Sequence, residues 1–350
     1  MQRDAWHVVV AGAGVTGSHL APHLARMPEI ERVTLVDPEE YSTENRSQNI
    51  EYADVGKAKV DVQAERLRRI RPDLEVTPIK ARIEDVPRGL LACGLFASCL
   101  DSKLSRLGLN SLAWAMGTSW FDCGVLGSQN LVRVSGYVPG EESACLECSW
   151  DPGPHGEYAV LEQEYLCGAG GGAFPSMATS ALGALAASLL SLEIAKLIRG
   201  EAAESIAGRQ VILDAQHHRV QVTQERRNPW CRFNHRTWRV QPWRRGLDCT
   251  TVGAALRELG SLAVEGHLFV RDLVCPSCGR EENATRLNRP LAHCAACGRR
   301  LASASFGSLE RLHSAVGPEW TSLTLAQIGL RARDIVSAGT HHHYLLEDAG

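Results

Sequence analysis

The chain has 350 residues, of which 44% are hydrophobic and 22% are charged, and its formal net charge is −3. This length accommodates one large domain and a smaller one, and the composition is that of an ordinary globular protein. The slightly acidic balance excludes a global basic field. We therefore expect neither nucleic acid nor an anionic membrane as the partner.

The cysteine content points to a compartment. Twelve cysteines follow an N-terminus without a long apolar segment and cleavage site, which predicts a reducing cytoplasm. Six of them form three Cys-x-x-Cys pairs, a spacing that binds metal there. An uncharged stretch, Leu166 to Leu192, is long enough to span a membrane. Its many Ala, Gly and Ser residues favour a closely packed core helix instead.

Predicted strands alternate with predicted helices through the first part of the chain. The strands are 7–11, 32–37, 74–79 and 95–100, and the helices are 18–26, 57–71 and a segment after Asp101. This alternation predicts an α/β fold with a doubly wound, mostly parallel, Rossmann-like sheet. A crossover loop then leads to a long Ala/Leu helix ending near Gly200, and 208–225 alternates like antiparallel strands.

A glycine-rich loop lies between the first strand and the first helix. Gly12, Gly14 and Gly17 permit a tight turn and close approach of a phosphate, while the helix N-terminus supplies oriented N–H donors. Asp37 ends the next strand, twenty residues after Gly17, where an acid commonly binds an adenosine ribose. These features predict an adenine nucleotide, and an NAD-dependent hydride-transfer enzyme would fit them equally well.

The following motifs separate these possibilities. "LVDPEEYSTENRSQNIEYADVGKAKV" is followed by "ASCLDSKLSR", and this ordered series resembles the nucleotide site of the ubiquitin-activating, ThiF and MoeB family. The resemblance covers about 7–235. The positions that match the family motif are Asp37, Asn45, Gly56 with Lys59, Cys99-Leu100-Asp101 and Arg106.

The resemblance implies an ATP site with Mg²⁺. Lys59 would contact phosphates, Asp101 would hold the Mg²⁺, and Asn45 with Gln48 would position the nucleotide over the glycine loop. Cations and Mg²⁺ stabilise the negative charge that develops on the α-phosphate and on departing pyrophosphate. Outside this pattern, Lys59 would be an exposed helix lysine and Asp101 a helix cap.

One position departs from the family pattern. Where the family has Asn-x-x-Arg-Gln, this chain has Asn45-Arg46-Ser47-Gln48-Asn49. Arg46 would perform the missing arginine's catalytic role from the neighbouring position. A partner subunit could supply the arginine instead, or the site could be catalytically weak.

The first metal motif is Cys145-x-x-Cys148. The resemblance implies a structural Zn²⁺ with two further ligands beyond the long helix. Cys231 and His235 in "NPWCRFNHR" are the candidates, with histidine in place of the usual second cysteine. The alternative for His235 is an exposed loop imidazole.

Cys167 in "EYLCGAGGGAFPS" is the candidate nucleophile. In the thiolating members of the family a cysteine lies on the crossover loop, eight residues before a proline that starts the long helix. Cys167 lies eight residues before Pro175. Its thiolate would attack the acyl-adenylate and store the substrate as a thioester. The alternative is a small apolar residue at a buried bend.

The second metal motif is a zinc ribbon. Cys275-x-x-Cys278 and Cys294-x-x-Cys297 are separated by fifteen residues, and glycine follows each pair. A ribbon can bind nucleic acid, bind protein or only stabilise a small domain. Glu281, Glu282 and the acidic balance of the whole chain favour a protein contact. The polar stretch 226–246 is the predicted boundary between an adenylation domain with its own zinc, 1–240, and a small domain, 247–350, which contains the ribbon at 275–297.

These motifs predict an enzyme that uses ATP, Mg²⁺ and two structural Zn²⁺ ions. By the resemblance, it would adenylate the C-terminal carboxylate of a ubiquitin-like or sulfur-carrier protein. It would then form a thioester, pass the acyl group to a conjugating partner, and act as a homo- or heterodimer. The alternatives are a peptide-adenylating enzyme without a thioester, a weakly active pseudoenzyme that recruits a partner, and an NAD oxidoreductase. An NAD oxidoreductase would leave Lys59 and Asp101 without a role.

Overall fold

The computed structural model describes residues 5–45, 48–150, 178–289, 292–303, 307–339 and 341–347. The chain forms two compact units. The first consists of Met1–Glu84 and Cys93–Thr237, and the second of Asp85–Ala92 and Trp238–Gly350. The second unit therefore includes a short segment from the early part of the chain as well as the C-terminal third.

The first unit is built on an eight-stranded sheet with the order β3-β2-β1-β4-β5-β6-β7-β8. Its first five strands along the chain are parallel, and β6, β7 and β8 continue the sheet in antiparallel pairing. The predicted Rossmann-like sheet is thereby confirmed. The strands are Trp6–Ala11 (β1), Ile30–Val36 (β2), Glu75–Ile79 (β3), Leu95–Ser98 (β4), Ser119–Leu126 (β5), Leu131–Tyr137 (β6), Arg209–Asp214 (β7) and Arg219–Gln224 (β8).

Four long helices complete the described part of this unit. They are Val15–Ala25 (α1), Lys59–Ile70 (α2), Lys103–Ala115 (α3) and Ser180–Ile198 (α4). Among the described residues, α4 is the one helix long and apolar enough to cross a membrane, and half of its most apolar window is buried inside the protein. It packs against α1, β5 and β6, with Leu182, Ala186, Leu190 and Ile194 in the main core.

The beginning of α4 differs from the sequence prediction. The helix begins at Ser180 rather than at Pro175, because the Thr179 side chain caps it by accepting a hydrogen bond from Leu182 N. A threonine oxygen satisfies one of the N–H groups that a first helical turn leaves unpaired. The residues immediately before Ala178, including Pro175, lie outside the described part of the chain.

The strand order places a crevice beside the glycine-rich loop. The order reverses between β1 and β4, which are neighbours in the sheet although β2 and β3 follow β1 along the chain. At such a switch point the connections leave the carboxyl ends of the two strands in opposite directions, and ligands bind in the gap. Ala11 and Ser98 end these two strands side by side. The residues that follow them, beginning with Gly12 and Cys99, border this gap.

The second unit has its own apolar core, which includes Trp243, Phe269, Leu312, Trp320 and Val336. Its helices and strands are Val240–Arg244 (β9), Val252–Leu259 (α5), Ser261–Leu262 (β10), Phe269–Val270 (β11), Leu273–Val274 (β12), Glu281–Glu282 (β13), Arg286–Leu287 (β14), Ala302–Ser303 (β15), Ser308–Leu309 (β16), Leu312–His313 (β17), Pro318–Thr321 (α6), Ile335–Ala338 (β18) and His342–Glu347 (β19).

The segment Asp85–Ala92 lies within this second unit and is held there by backbone contacts. Gly89 N donates to Arg333 O over 2.8 Å, and a Cβ at Gly89 would lie 2.6 Å from that oxygen. Arg88 is over the Trp238 ring, 5.0 Å from its centroid, and Trp238 stacks on His343. The connection between β3 and β4 thus supplies part of the second unit.

Candidate functional site

The glycine-rich loop has the close packing that its sequence predicts. Gly12 has φ +95°, and a Cβ there would lie 2.6 Å from Cys99 O. A Cβ at Gly17 would overlap Gly12 O, whereas one at Gly14 would meet nothing within 4 Å. Gly12 and Gly17 are thus required by the protein's own packing. Gly14 instead faces open space at the N-terminus of α1, where a phosphate would bind.

Asp37 is tied to this loop. Its Oδ2 accepts a hydrogen bond from Ala13 N over 2.7 Å, and its Oδ1 accepts one from Glu39 N over 2.9 Å. Burial raises the pKa of the Asp37 carboxyl, and the two N–H donors oppose that shift. The carboxylate therefore fixes the loop relative to the end of β2, and each oxygen retains acceptor capacity for a ribose hydroxyl.

Lys59 is buried, so it is not an exposed helix lysine. It is the first residue of α2, its side chain is 5% exposed, and its Nζ lies 2.6 Å from Glu39 Oε2. The Glu39 side chain is 67% exposed. A buried ammonium paired with a solvent-exposed carboxylate can exchange that partner for a more highly charged phosphate.

The loop that contains Asn45 is described only in part. Asn45 Oδ1 accepts a hydrogen bond from Ser42 N over 2.8 Å, and Gln48 N donates to Asn45 O over 3.0 Å. Asn49 N donates to Ser18 Oγ over 3.0 Å, which attaches the end of the loop to α1. Arg46 lies outside the described residues. Its catalytic role remains a prediction.

Asp101 is exposed, and it does not cap α3. The cap is Ser102, whose Oγ accepts a hydrogen bond from Ser105 N over 3.4 Å. The loop that carries Asp101 begins beside the glycine loop, because Cys99 N donates a hydrogen bond to Ala11 O over 2.7 Å. A solvated carboxylate at this edge of the sheet fits Mg²⁺, which prefers oxygen ligands and binds through one or two carboxylates together with substrate phosphates.

A buried ionic cluster that the sequence motifs do not predict lies beside this loop. Asp122 on β5 is fully buried, and it contacts Ser98, Arg106 and Arg133. Alternation of side chains along β5 and β6 was the one available signal, since it places Asp122 and Arg133 on the same face of the sheet. Arg106 matches the family motif, but the resemblance implies no role for it.

The four predicted ligands of the first zinc site lie together. Cys145 Sγ is 3.8 Å from both Cys148 Sγ and Cys231 Sγ, and Cys148 Sγ is 3.2 Å from His235 Nε2. Ligands about 2.3 Å from one tetrahedral zinc ion are about 3.8 Å apart, whereas a disulfide requires about 2.05 Å. The distances therefore fit a metal site of three thiolates and one imidazole.

The orientation of His235 supports this assignment over an exposed loop imidazole. Its Nδ1–H donates to Phe233 O over 2.7 Å, so that Nε2 faces the cysteines. The ring also packs edge-on against Trp114, with the centroids 4.8 Å apart. A hydrogen bond of this kind fixes the tautomer that binds metal.

We expect His235→Ala to lower the zinc content from two ions to one per chain after dialysis against a mild chelator. The replacement removes one of the four donors clustered at this site and leaves its three thiolates without a fourth protein ligand. Elemental analysis of the purified protein measures the content. His217→Ala is the matched control, because its exposed ring pairs with Asp214 instead. Two retained ions in the His235 variant would show that the imidazole is not a ligand.

The ribbon cysteines form a second cluster. Cys275 Sγ lies 3.4 Å from Cys297 Sγ, and Cys278 Sγ lies 3.6 Å from Cys294 Sγ. The backbone N–H of Cys278 lowers the pKa of the Cys275 thiol to about 6. A thiolate is thus available near neutral pH, as zinc binding requires.

The predicted nucleophile Cys167 lies outside the described residues. Burial raises the pKa of the Cys93 and Cys123 thiols to about 12 and raises that of Cys99 as well. These three thiols are therefore unsuited to nucleophilic attack at neutral pH.

The architecture and the loop define a doubly wound nucleotide-binding protein. The ThiF family model matches residues 3–233, and the chain belongs to the ThiF family.

The similar proteins include activating enzymes and adenylyltransferases. Ubiquitin-like modifier-activating enzyme 5 of Bombyx mori is 30% identical over 160 residues, which are 41% of this chain and 39% of that protein. The sulfur carrier protein ThiS adenylyltransferase of Escherichia coli is 24% identical over 147 residues, 41% of this chain and 57% of that protein. The chain thus spans between 39% and 57% of the length of these relatives.

Solved structures with the same fold include that of E. coli MccB with ATP. Its TM-score is 0.54 at 18% identity, and the match covers 65% of this chain and 66% of that one. MccB with AMPCPP and MccA has a TM-score of 0.53 at 19% identity, with the same coverage. At these identities the likeness concerns the fold.

Proposed function

We propose that the protein is an ATP-dependent adenylyltransferase that activates a C-terminal carboxylate. The observation that carries the proposal is the convergence of four features on one sheet edge. The glycine loop, Asp37, buried Lys59 and exposed Asp101 all follow the carboxyl ends of β1, β2 and β4 or the connections between them. A hydride-transfer enzyme would need the first two features and would have no use for the last two.

Each of these groups has a role in the proposed adenylation. A carboxylate oxygen of the substrate attacks the α-phosphorus of ATP, the bond from that phosphorus to the bridging oxygen breaks, and pyrophosphate leaves with the electron pair. Gly14 and the first turn of α1 receive phosphate oxygens, while Asp37 holds the ribose. Lys59 would exchange Glu39 for phosphate. Asp101 would hold Mg²⁺, and the ion would supply positive charge to neutralise the departing pyrophosphate.

The substrate we propose is a small ubiquitin-like or sulfur-carrier protein. Support comes from the relatives, which are named a ubiquitin-like modifier-activating enzyme and a ThiS adenylyltransferase. The second candidate is a short peptide, because family members of that type perform the same adenylation without a thioester. The MccB fold, solved with AMPCPP and MccA, is compatible with this second candidate.

The experiment that separates these candidates concerns Cys167. We expect Cys167→Ala to retain ATP–pyrophosphate exchange, because adenylation needs no thiol. The same change should abolish a reductant-sensitive adduct between enzyme and substrate on a non-reducing gel. Cys249→Ala is the control, since Cys249 is an exposed thiol of the second unit. An adduct that survives in Cys167→Ala would place the nucleophile elsewhere, and exchange without any wild-type adduct would favour the peptide candidate.

The remaining proposals concern assembly and location. We propose a cytoplasmic homo- or heterodimer in which the ribbon contacts a protein partner, such as a conjugating enzyme. A partner-recruiting pseudoenzyme is the alternative from a different functional class. It would bind nucleotide without catalysing exchange. Sedimentation of the purified chain, alone and with its substrate, measures the assembly.

A further inference from the structure

The buried ionic cluster around Asp122 is connected to the loop that carries Asp101, the proposed magnesium ligand. Asp122 Oδ1 accepts a hydrogen bond from Ser98 Oγ over 2.7 Å and lies 3.0 Å from Arg106 Nε. Its Oδ2 accepts a hydrogen bond from Arg133 Nη2 over 2.5 Å. The carboxylate is fully buried and stands between two guanidinium groups. A buried carboxylate is tolerated only when cations pair with it. Removal of the Asp122 charge would leave its two guanidinium partners unpaired.

The cluster lies close to the nucleotide loop. Asp122 pairs with Ser98 on β4, and Ser98 pairs with Ala11 on β1. Two strand spacings, about 10 Å, therefore separate Asp122 from the residue that precedes Gly12. The cluster thus lies at the level of the strand ends where the phosphates would bind.

Arg106 connects the cluster to the Asp101 loop. While its Nε faces Asp122, its Nη2 donates to Leu100 O over 2.6 Å. Leu100 immediately precedes Asp101. The loop is thus fixed at three points: Cys99 N on Ala11 O, Leu100 O on Arg106, and the Ser102 cap.

We propose that Asp122 and Arg106 are positioning residues for the magnesium-binding carboxylate of Asp101. Asp122 orients the guanidinium, the guanidinium holds the Leu100 carbonyl, and the carbonyl sets the direction in which the next side chain leaves the loop. Gly124 leaves room for the Arg106 guanidinium, because a Cβ at this position would lie 3.3 Å from Arg106 Nη2. The inference rests on the proposed function, since it needs Asp101 to serve Mg²⁺.

The test measures nucleotide affinity instead of turnover. Calorimetry gives the dissociation constant of α,β-methylene ATP for the full chain, once in excess Mg²⁺ and once in EDTA. The ratio of the two constants is the magnesium gain. We expect wild type to show a gain of at least ~10-fold, and Asp101→Asn to reduce it to within ~2-fold of unity.

Asp122→Asn and Arg106→Lys should lose the magnesium gain as Asp101→Asn does. Their affinities for the nucleotide in EDTA should stay within ~2-fold of wild type. Lysine retains the charge facing Asp122, but its single nitrogen cannot also hold Leu100 O in the same geometry. If Asp122→Asn does not fold, Arg106→Lys and Gly124→Ala test the proposal in its place. Arg133→Lys is the matched control, because Arg133 contacts Asp122 but not the loop. It should retain the gain.

The outcomes distinguish the two proposals. If Asp101→Asn loses the gain while Arg106→Lys and Asp122→Asn keep it, the positioning role is wrong and the proposed function stands. Equal losses in Mg²⁺ and in EDTA would indicate general structural damage and also overturn the positioning role. A wild type without a magnesium gain removes the role of Asp101, and one that binds no nucleotide overturns both proposals.

Discussion

Asp101→Ala is expected to slow adenylation at least ~100-fold, which corresponds to about 2.7 kcal/mol of barrier. The carboxylate is exposed at the carboxyl edge of the sheet and is not used to cap α3, so its removal should leave the fold intact. The loss should therefore fall on the transition state, because the proposed Mg²⁺ would neutralise the departing pyrophosphate there. ATP–pyrophosphate exchange with the substrate measures the rate.

The control for this prediction is Asp61→Ala. Asp61 is an exposed acid in the first turn of α2, and its loss should leave the exchange rate within ~2-fold of wild type. A change smaller than ~3-fold in Asp101→Ala would remove Asp101 from the magnesium site.

Cys275→Ser is expected to unfold the ribbon and to lower the predicted zinc content from two ions to one per chain. The apolar cluster around these cysteines is small: besides Cys275 and Cys294 it consists of Val270, Leu273, Ala284 and Leu301, with Ala292 against it. A cluster of this size contributes little stability, whereas structural zinc supplies about 10–16 kcal/mol in comparable small modules. Elemental analysis gives the metal content, and limited proteolysis reports new cleavage within 271–303.

Cys249→Ser is the matched control for the ribbon variant. Cys249 belongs to the same unit, is exposed, and contacts Gly246 O instead of the cluster. Its replacement should change neither the zinc content nor the cleavage pattern. A protease-resistant Cys275→Ser ribbon that retains two zinc ions would show that these cysteines do not hold the metal.

Much of the fold was predictable from the sequence because its signals are local. The run from β1 through the glycine loop to Asp37 is specified by strand periodicity, glycine positions and one acid at a fixed distance. The parallel sheet follows from the alternation of strands and helices. The cysteine pairs likewise indicate metal by spacing alone, and the structure brings their sulfur atoms within 4.8 Å of one another in each cluster.

The features that escaped prediction depend on contacts between distant segments. Strand alternation can place Asp122 and Arg133 on one face of the sheet, but nothing in the sequence indicates that Arg106 joins them, because that contact arises from α3 lying over the sheet. The incorporation of Asp85–Ala92 into the second unit is of the same kind. The start of α4 at Ser180 follows from the Thr179 cap, a local signal that the sequence prediction did not use.

ATP–pyrophosphate exchange measures the proposed adenylation of a C-terminal carboxylate itself. Candidate substrates are the small proteins and peptides encoded beside the gene, each prepared with a free C-terminal carboxylate and as the C-terminal amide. We expect exchange that requires Mg²⁺ and a free carboxylate and is absent with every amide. Exchange that proceeds equally with the amides, or nucleotide binding without exchange for any candidate, would contradict the proposal.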